Sequence, residues 1–148
     1  MPTNRLAILG RAKRKLDRCP GVVYSTSRRG IDVQPPGPDG FPIRLRVGRR
    51  GYRVYLGGWW REFDRDDDAL DCMDFGLSTG CRLLVEYRGE TPVAWTVESR
   101  DFGMWRPHHR ASRRFVAFWR AKRTAYLQND VEVLYPGEVK DGEPLVDG

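Results

Sequence analysis

Two blocks of apolar–polar alternation, each folding back at a glycine-containing turn, constrain this chain more than any other feature. In the first, Ile43, Leu45 and Val47 alternate with Arg44 and Arg46, Gly48-Arg49-Arg50-Gly51 turns the chain, and Tyr52, Val54 and Leu56 alternate on the return. A period of two sends successive side chains to opposite faces, so each arm has one apolar and one polar side. With turn residues between the arms, the block reads as a β-hairpin. The second block runs Leu83, Val85 and Tyr87 into a turn near Gly89-Glu90, answered by Val93, Trp95 and Val97. Alternation of this kind belongs to an antiparallel sheet covered on one face.

The segments around the hairpins supply the cover. Residues 4–18 carry Leu6, Leu9, Ala12 and Leu16 at helical spacing, with Thr3 placed to cap the start and Pro20-Gly21 to end it. Val22, Tyr24 and Thr26 then alternate, Arg28-Arg29-Gly30 turns, and Ile31 and Val33 resume, so two short strands are expected. Pro35-Pro36-Gly37-Pro38-Asp39-Gly40 is a loop. Between the hairpins, residues 64–76 predict a second helix. Asp64, Asp66, Asp67 and Asp68 crowd its first turn, where the helix dipole favours negative charge. Leu70, Met73 and Leu77 form its inward stripe, and Gly76 is a natural terminator. Residues 108–128 hold no Gly or Pro and four alanines, and Phe115, Phe118, Trp119 and Lys122 share a helical face. A third helix is expected there, with a strand pair as the competing reading. Val131, Val133 and Tyr135 suggest a last strand, and no internal repeat occurs.

With 148 residues, the chain suits one domain. The expected fold is a single α+β domain over 1–136, an antiparallel sheet of about five to seven strands with two or three helices packed on one face. An acidic, mobile tail is expected over 137–148.

Charge narrows the partners. The net charge is +6, yet residues 1–60 hold 13 basic and 3 acidic side chains while residues 61–80 hold 2 and 7. Only four of the 26 basic residues are lysine. Arginine bias suits bidentate phosphate or carboxylate contacts, but codon usage in a GC-rich genome produces the same bias. The apolar runs are too short to cross a bilayer or to form a secretory core, so no membrane partner is expected. The three cysteines, Cys19, Cys72 and Cys81, are odd in number and far apart, which reads as reduced thiols in a cytoplasmic protein.

Catalytic motifs are missing. Asp74-Phe75-Gly76 and Asp101-Phe102-Gly103 lack the glycine-rich loop, strand lysine and catalytic loop that give this tripeptide its role in kinases. The carboxylates of Asp64 to Asp71 fit no calcium-loop register, because the positions requiring Gly and Glu hold Ala69 and Phe75, or Asp71 and Leu77. His108 and His109 are the only histidines, and neighbours on a strand or helix diverge, so a zinc site shared with Cys72 or Cys81 lacks ligand spacing. No metal, cofactor or catalytic residue is assigned. An enzyme cleft around His108, His109 and the Asp64–Asp71 carboxylates has no motif behind it.

The tryptophans are the most informative residues left. Trp95 and Trp119 fall on apolar faces and are expected in the core. Trp59 and Trp60, adjacent after Gly57-Gly58, cannot both face one core in an extended chain, so one is exposed. Tyr55 lies on the polar side of the preceding strand, and Trp105 sits in a loop. The chain therefore reads as a small non-catalytic binding module. Tyr55, Trp59, Trp60 and Trp105, together with Arg44, Arg46 and Arg53, would accept a protein segment or small ligand. Nucleic-acid binding by the basic hairpin face with tryptophan stacking is the alternative. Complementary basic and acidic segments make a homo-oligomer a further expectation.

Overall fold

A computed structural model of the chain describes residues 5–113 and 118–131. The elements are α1 (Ala7–Leu16), β1 (Tyr24–Ser27), β2 (Gly30–Val33), β3 (Ile43–Val47), β4 (Tyr52–Leu56), β5 (Trp59–Phe63), α2 (Asp66–Leu77), β6 (Cys81–Arg88), β7 (Thr91–Asp101), β8 (Met104–Ser112) and β9 (Lys122–Leu127). They form two antiparallel sheets, a five-stranded meander β1-β2-β3-β4-β5 and a four-stranded sheet β8-β7-β6-β9. The α+β class holds. The expected single sheet divides because β6 is paired on both sides, by β7 and β9, and has no edge left for β5.

Both hairpins form where alternation placed them. Ile43, Leu45, Val47, Tyr52, Val54 and Leu56 are all buried, whereas Arg44, Arg46, Arg53 and Tyr55 point the other way. β5 was missed by the sequence reading, which ended the strand at the tryptophans. Its register, Leu56 opposite Trp59 and Tyr55 opposite Trp60, extends the alternation by one strand. Gly57 takes φ +61, and a Cβ on Gly58 would lie 2.2 Å from the Trp95 indole. The Gly-Gly turn thus lets the second sheet press Trp95 against the first.

Both helices contribute to one core. α1 buries Ile8, Ala12 and Leu16 and starts at Leu6 without a side-chain cap. The buried stripe is therefore rotated from the expected Leu6–Leu9–Ala12–Leu16, with Leu6 exposed, and Thr3 lies outside the described residues. α2 packs Ala69, Leu70, Met73 and Leu77 into the same cluster as the inner residues of both sheets. Gly76 does not end α2. It is buried within the helix, and a Cβ there would stand 2.5 Å from Leu56 Cδ2, so the glycine permits close approach to β4. The two helices are tied by Arg11, which donates to Asp66 at 2.7 Å and Asp67 at 2.8 Å, and by Lys15 with Asp74.

The third helix is corrected. Residues 108–112 belong to β8, paired with β7, and residues 122–127 form β9, paired with β6. Phe118 and Trp119, which the helix would have buried, are 75% and 73% exposed. Long-range ladder pairing outweighs the helix propensity of four scattered alanines. Val131 is buried but lies outside any strand, and its N–H donates to Leu77 O at 2.7 Å. Beside it the buried Asn129 accepts from Phe41 N–H at 2.7 Å and donates to Gly76 O at 3.1 Å. The rest of the expected last strand, Val133 and Tyr135, and the acidic tail over 137–148 lie outside the described residues. Among the described residues, no helix is long and apolar enough to cross a membrane.

Candidate functional site

Alternation carries five of the seven sequence-derived residues to one place. Arg44, Tyr55 and Trp60 are successive cross-strand partners on the outer face of the five-stranded sheet, and Arg46, Arg53 and Glu62 form the next row. Cross-strand partners are the sheet's natural interaction unit, and this row brings an aromatic pair beside guanidinium groups. Trp60 is 47% exposed, with the Arg53 guanidinium 4.3 Å from its ring centroid. Arg53 also donates to the Tyr55 hydroxyl at 3.2 Å and to Glu62 at 3.0 Å. Those two bonds hold the guanidinium above its ordinary pKa. Asp32 on β2 neutralises Arg46 at 2.7 Å and Arg44 at 3.3 Å.

The turns at the end of this sheet carry unneutralised charge. Val47 N–H donates to Arg29 O at 2.8 Å, so the β1–β2 and β3–β4 turns lie at the same end. Arg28 and Arg29 sit on the first turn, and Arg49 and Arg50 on the second. Among the described residues none of these four makes an ion pair. A hollow of about 530 Å³ opens between the β3–β4 turn and the end of β5, lined by Arg49, Arg50, Arg53, Tyr55 and Glu62.

Trp59 and Trp105 do not join this face. Trp59 is the inward member of the adjacent pair, 6% exposed, and belongs to the core. Trp105 is not in a loop. It lies on β8 in the other sheet, where Arg82 fits between its ring, 4.4 Å away, and that of Tyr126, 3.9 Å away. Arg82 also donates to Glu98 at 2.6 Å. Trp119 is on the surface, whereas Trp95 is partly buried against the core.

A second concavity brings His108 and His109 together with Asp68 and Asp71, members of the cleft for which the sequence offers no motif. It is an open groove of about 500 Å³ between α2, β5 and the β7–β8 pair. Trp59, Arg61 and Phe63 line it from the inner side of β5, and Val97 and Ser99 from β7. α2 contributes Asp68, Asp71, Cys72 and Phe75, spaced as one helical stripe. His108 and His109 complete it, against the expectation that neighbours diverge. The register explains why: Val97 pairs with His109 and Glu98 with Pro107, so His108 is an extra residue in a β-bulge. A bulge re-aims a side chain, and both imidazoles face the groove. His108 Nε2 is hydrogen-bonded to the Ser99 hydroxyl, and the His109 ring lies 6.4 Å from that of Trp59. A bulge has no signature in this sequence, so nothing in the residues pointed to it.

The groove's chemistry is limited. Burial pushes the Cys72 thiol up to about 12, and that of Cys81 likewise, so neither supplies a thiolate nucleophile near neutral pH. All three cysteines are unpaired. Among the described residues, no three His, Cys, Asp or Glu side chains converge to hold a metal ion. Compared with protein-family models, curated proteins and solved structures, the chain matches none.

Proposed function

We propose that the chain is a non-catalytic binding domain whose working surface is the outer face of the five-stranded sheet, and that its occupant is a single-stranded nucleic acid. One observation carries this reading. The half-buried Tyr55 and the exposed Trp60 share the outer face with Arg44, Arg46 and Arg53, and the turns at the far end of the same sheet carry Arg28, Arg29, Arg49 and Arg50, which have no ion-pair partner among the described residues. Aromatic rings stack bases whatever their sequence, and guanidinium groups track the backbone. The strand rise separates the aromatic row from the turn arginines by roughly 15 Å, enough for a short extended strand to reach both. A protein segment or small ligand, the first expectation from the sequence, would use the aromatic pair but would leave the turn arginines idle. The reading keeps the protein in the cytoplasm, where its three free thiols stay reduced.

The test is an indole and amide NMR titration of the full chain with mixed-sequence single-stranded RNA and DNA at two salt concentrations. Four phosphate contacts give a salt slope of about −3 on single strands, or roughly fifty-fold weaker binding at 200 mM than at 50 mM. The double variant Arg49→Ala/Arg50→Ala should lower that slope by about 1.4, and Trp60→Ala should cost about 1–3 kcal/mol. An unmoved Trp60 indole at 50 mM salt overturns the reading. Equal binding of a polyglutamate peptide also overturns it, by showing that charge alone is recognised.

A further inference from the structure

We propose that the groove between α2, β5 and the β7–β8 pair is a second, independent binding site, and that it takes a small molecule joining a planar aromatic ring to an alkylammonium group.

Helix periodicity divides the carboxylates of α2 into two sets. Asp66, Asp67 and Asp74 turn towards α1, where Arg11 and Lys15 neutralise them. Asp68 and Asp71 turn the other way, line the groove and make no ion pair among the described residues. They are three residues apart, one helical turn, so their side chains are neighbours. An ammonium group at the rim can be shared between them. Arg61 is the one arginine or lysine among the described lining residues, so two carboxylates stand against a single guanidinium in the groove.

The remaining lining is largely apolar, with Arg61 over the Phe63 ring at 5.7 Å. Trp59, Phe63 and Phe75 present aromatic surface, and Val97 closes the wall from β7. An apolar body with a few placed polar groups is the usual form of a small-molecule site, and about 500 Å³ falls within the usual size range. The bulge at His108 adds a directional element. It turns the imidazoles of His108 and His109 to the groove opposite Asp68 and Asp71, where ring nitrogens can bond a heteroatom of the ligand. Cations are also attracted to aromatic faces, so ring lining and rim charge select the same ligand.

The experiment uses the full chain and three indoles that share a ring but differ in charge: tryptamine, tryptophan and indole-3-acetate. Binding is read from the chemical shifts of the Trp59 indole and the Phe75 and Val97 amides. Tryptamine should shift these signals at concentrations where indole-3-acetate shifts none of them. Asp68→Asn/Asp71→Asn should weaken tryptamine about five- to tenfold, the worth of two exposed charge contacts. Asp66→Asn/Asp67→Asn removes the same charge from the same helix and should leave binding unchanged, which separates the local contact from the overall field. Three results overturn the proposal: no shift with tryptamine, equal shifts with indole-3-acetate, or tighter binding of tryptophan, which would make the site one for zwitterions. None of these bears on the outer face of the five-stranded sheet, so the two sites stand or fall separately.

Discussion

The two sheets use similar residues under different constraints. In β3 and β4 every second residue is buried: Ile43, Leu45 and Val47 on one strand, Tyr52, Val54 and Leu56 on the next. In β8, from Met104 to Ser112, no residue is fully buried, and only Trp105 and Ala111 are partly so. A one-residue slip of β3 would put arginines in the core, so burial specifies its register. A slip of β8 would exchange one exposed set for another. Its register rests on the ladder to β7 and on the bulge at His108.

The sharpest way to break that contrast is to truncate one residue from each strand. Leu45 is wholly buried in the centre of β3, and Leu45→Ala should cost about 2–5 kcal/mol through lost transfer energy and the cavity left behind. Among the described residues Arg106 on β8 makes only an exposed 3.5 Å pair with Asp101, and Arg106→Ala should stay within about 0.5 kcal/mol. Urea unfolding midpoints measure both. Comparable losses would mean that β8 is held by more than its ladder.

A smaller effect sharpens the comparison from within the second sheet. Its outer face is organised by Arg82, held between Trp105 and Tyr126 and bonded to the buried Glu98. Arg82→Ala leaves that carboxylate without its cation and should cost about 2 kcal/mol. Pairing it with Glu98→Gln should recover part of the loss, and a double-mutant cycle isolates the coupling. Additive single effects would show that the stack on the two rings, rather than the ion pair, holds the arginine in place.

The same contrast explains what the residues revealed in advance. β2, β3, β4, β6 and the first part of β7 were legible because burial of one face writes alternation into the sequence. So was the split of the tryptophan pair, although which member faces outward was not; it is Trp60, with Trp59 in the core. β5 was missed because Trp-Trp-Arg-Glu-Phe hides its alternation: Trp59 faces the core, Phe63 is only partly covered and Arg61 lines the groove between them. β8 and β9 were hidden because edge strands with both sides wet need no apolar period, and the alanines and the lack of Gly or Pro over 108–128 imitate a helix. The outer-face residues could be collected from the polar half of one hairpin. The groove was legible only as a cleft of His108, His109 and the Asp64–Asp71 carboxylates with no motif behind it. It draws on elements far apart in sequence, and its two imidazoles share a face only through the bulge, a displacement of register that no local pattern encodes.

The smallest predicted effect concerns how the second sheet's strands are clamped. Glu86 on β6 accepts from Arg110 on β8 at 2.9 Å and lies 3.9 Å from Lys122 on β9, so one carboxylate spans from one edge strand to the other. The Arg110 bond, and then the charges of Arg110, Lys122 and Arg88, hold its pKa below the ordinary carboxylate value against the effect of burial. A carboxyl group whose folded pKa is depressed stabilises the protein above its unfolded-state pKa. It loses that contribution as pH falls through the folded value. The clamp is therefore intact at neutral pH and released as the pH falls through a folded value below that of an ordinary carboxylate. Glu86→Gln should be less stable than the parent at pH 7 by less than about 1 kcal/mol, because both cations are largely exposed. The gap should narrow as the pH falls, so that it is smaller at pH 3 than at pH 7. Thermal or urea unfolding of both across this range measures the difference. A gap that persists unchanged at pH 3 would assign the effect to packing at Glu86 instead of charge. The four-stranded sheet would then be held by its backbone ladder, without an electrostatic clamp between its edges.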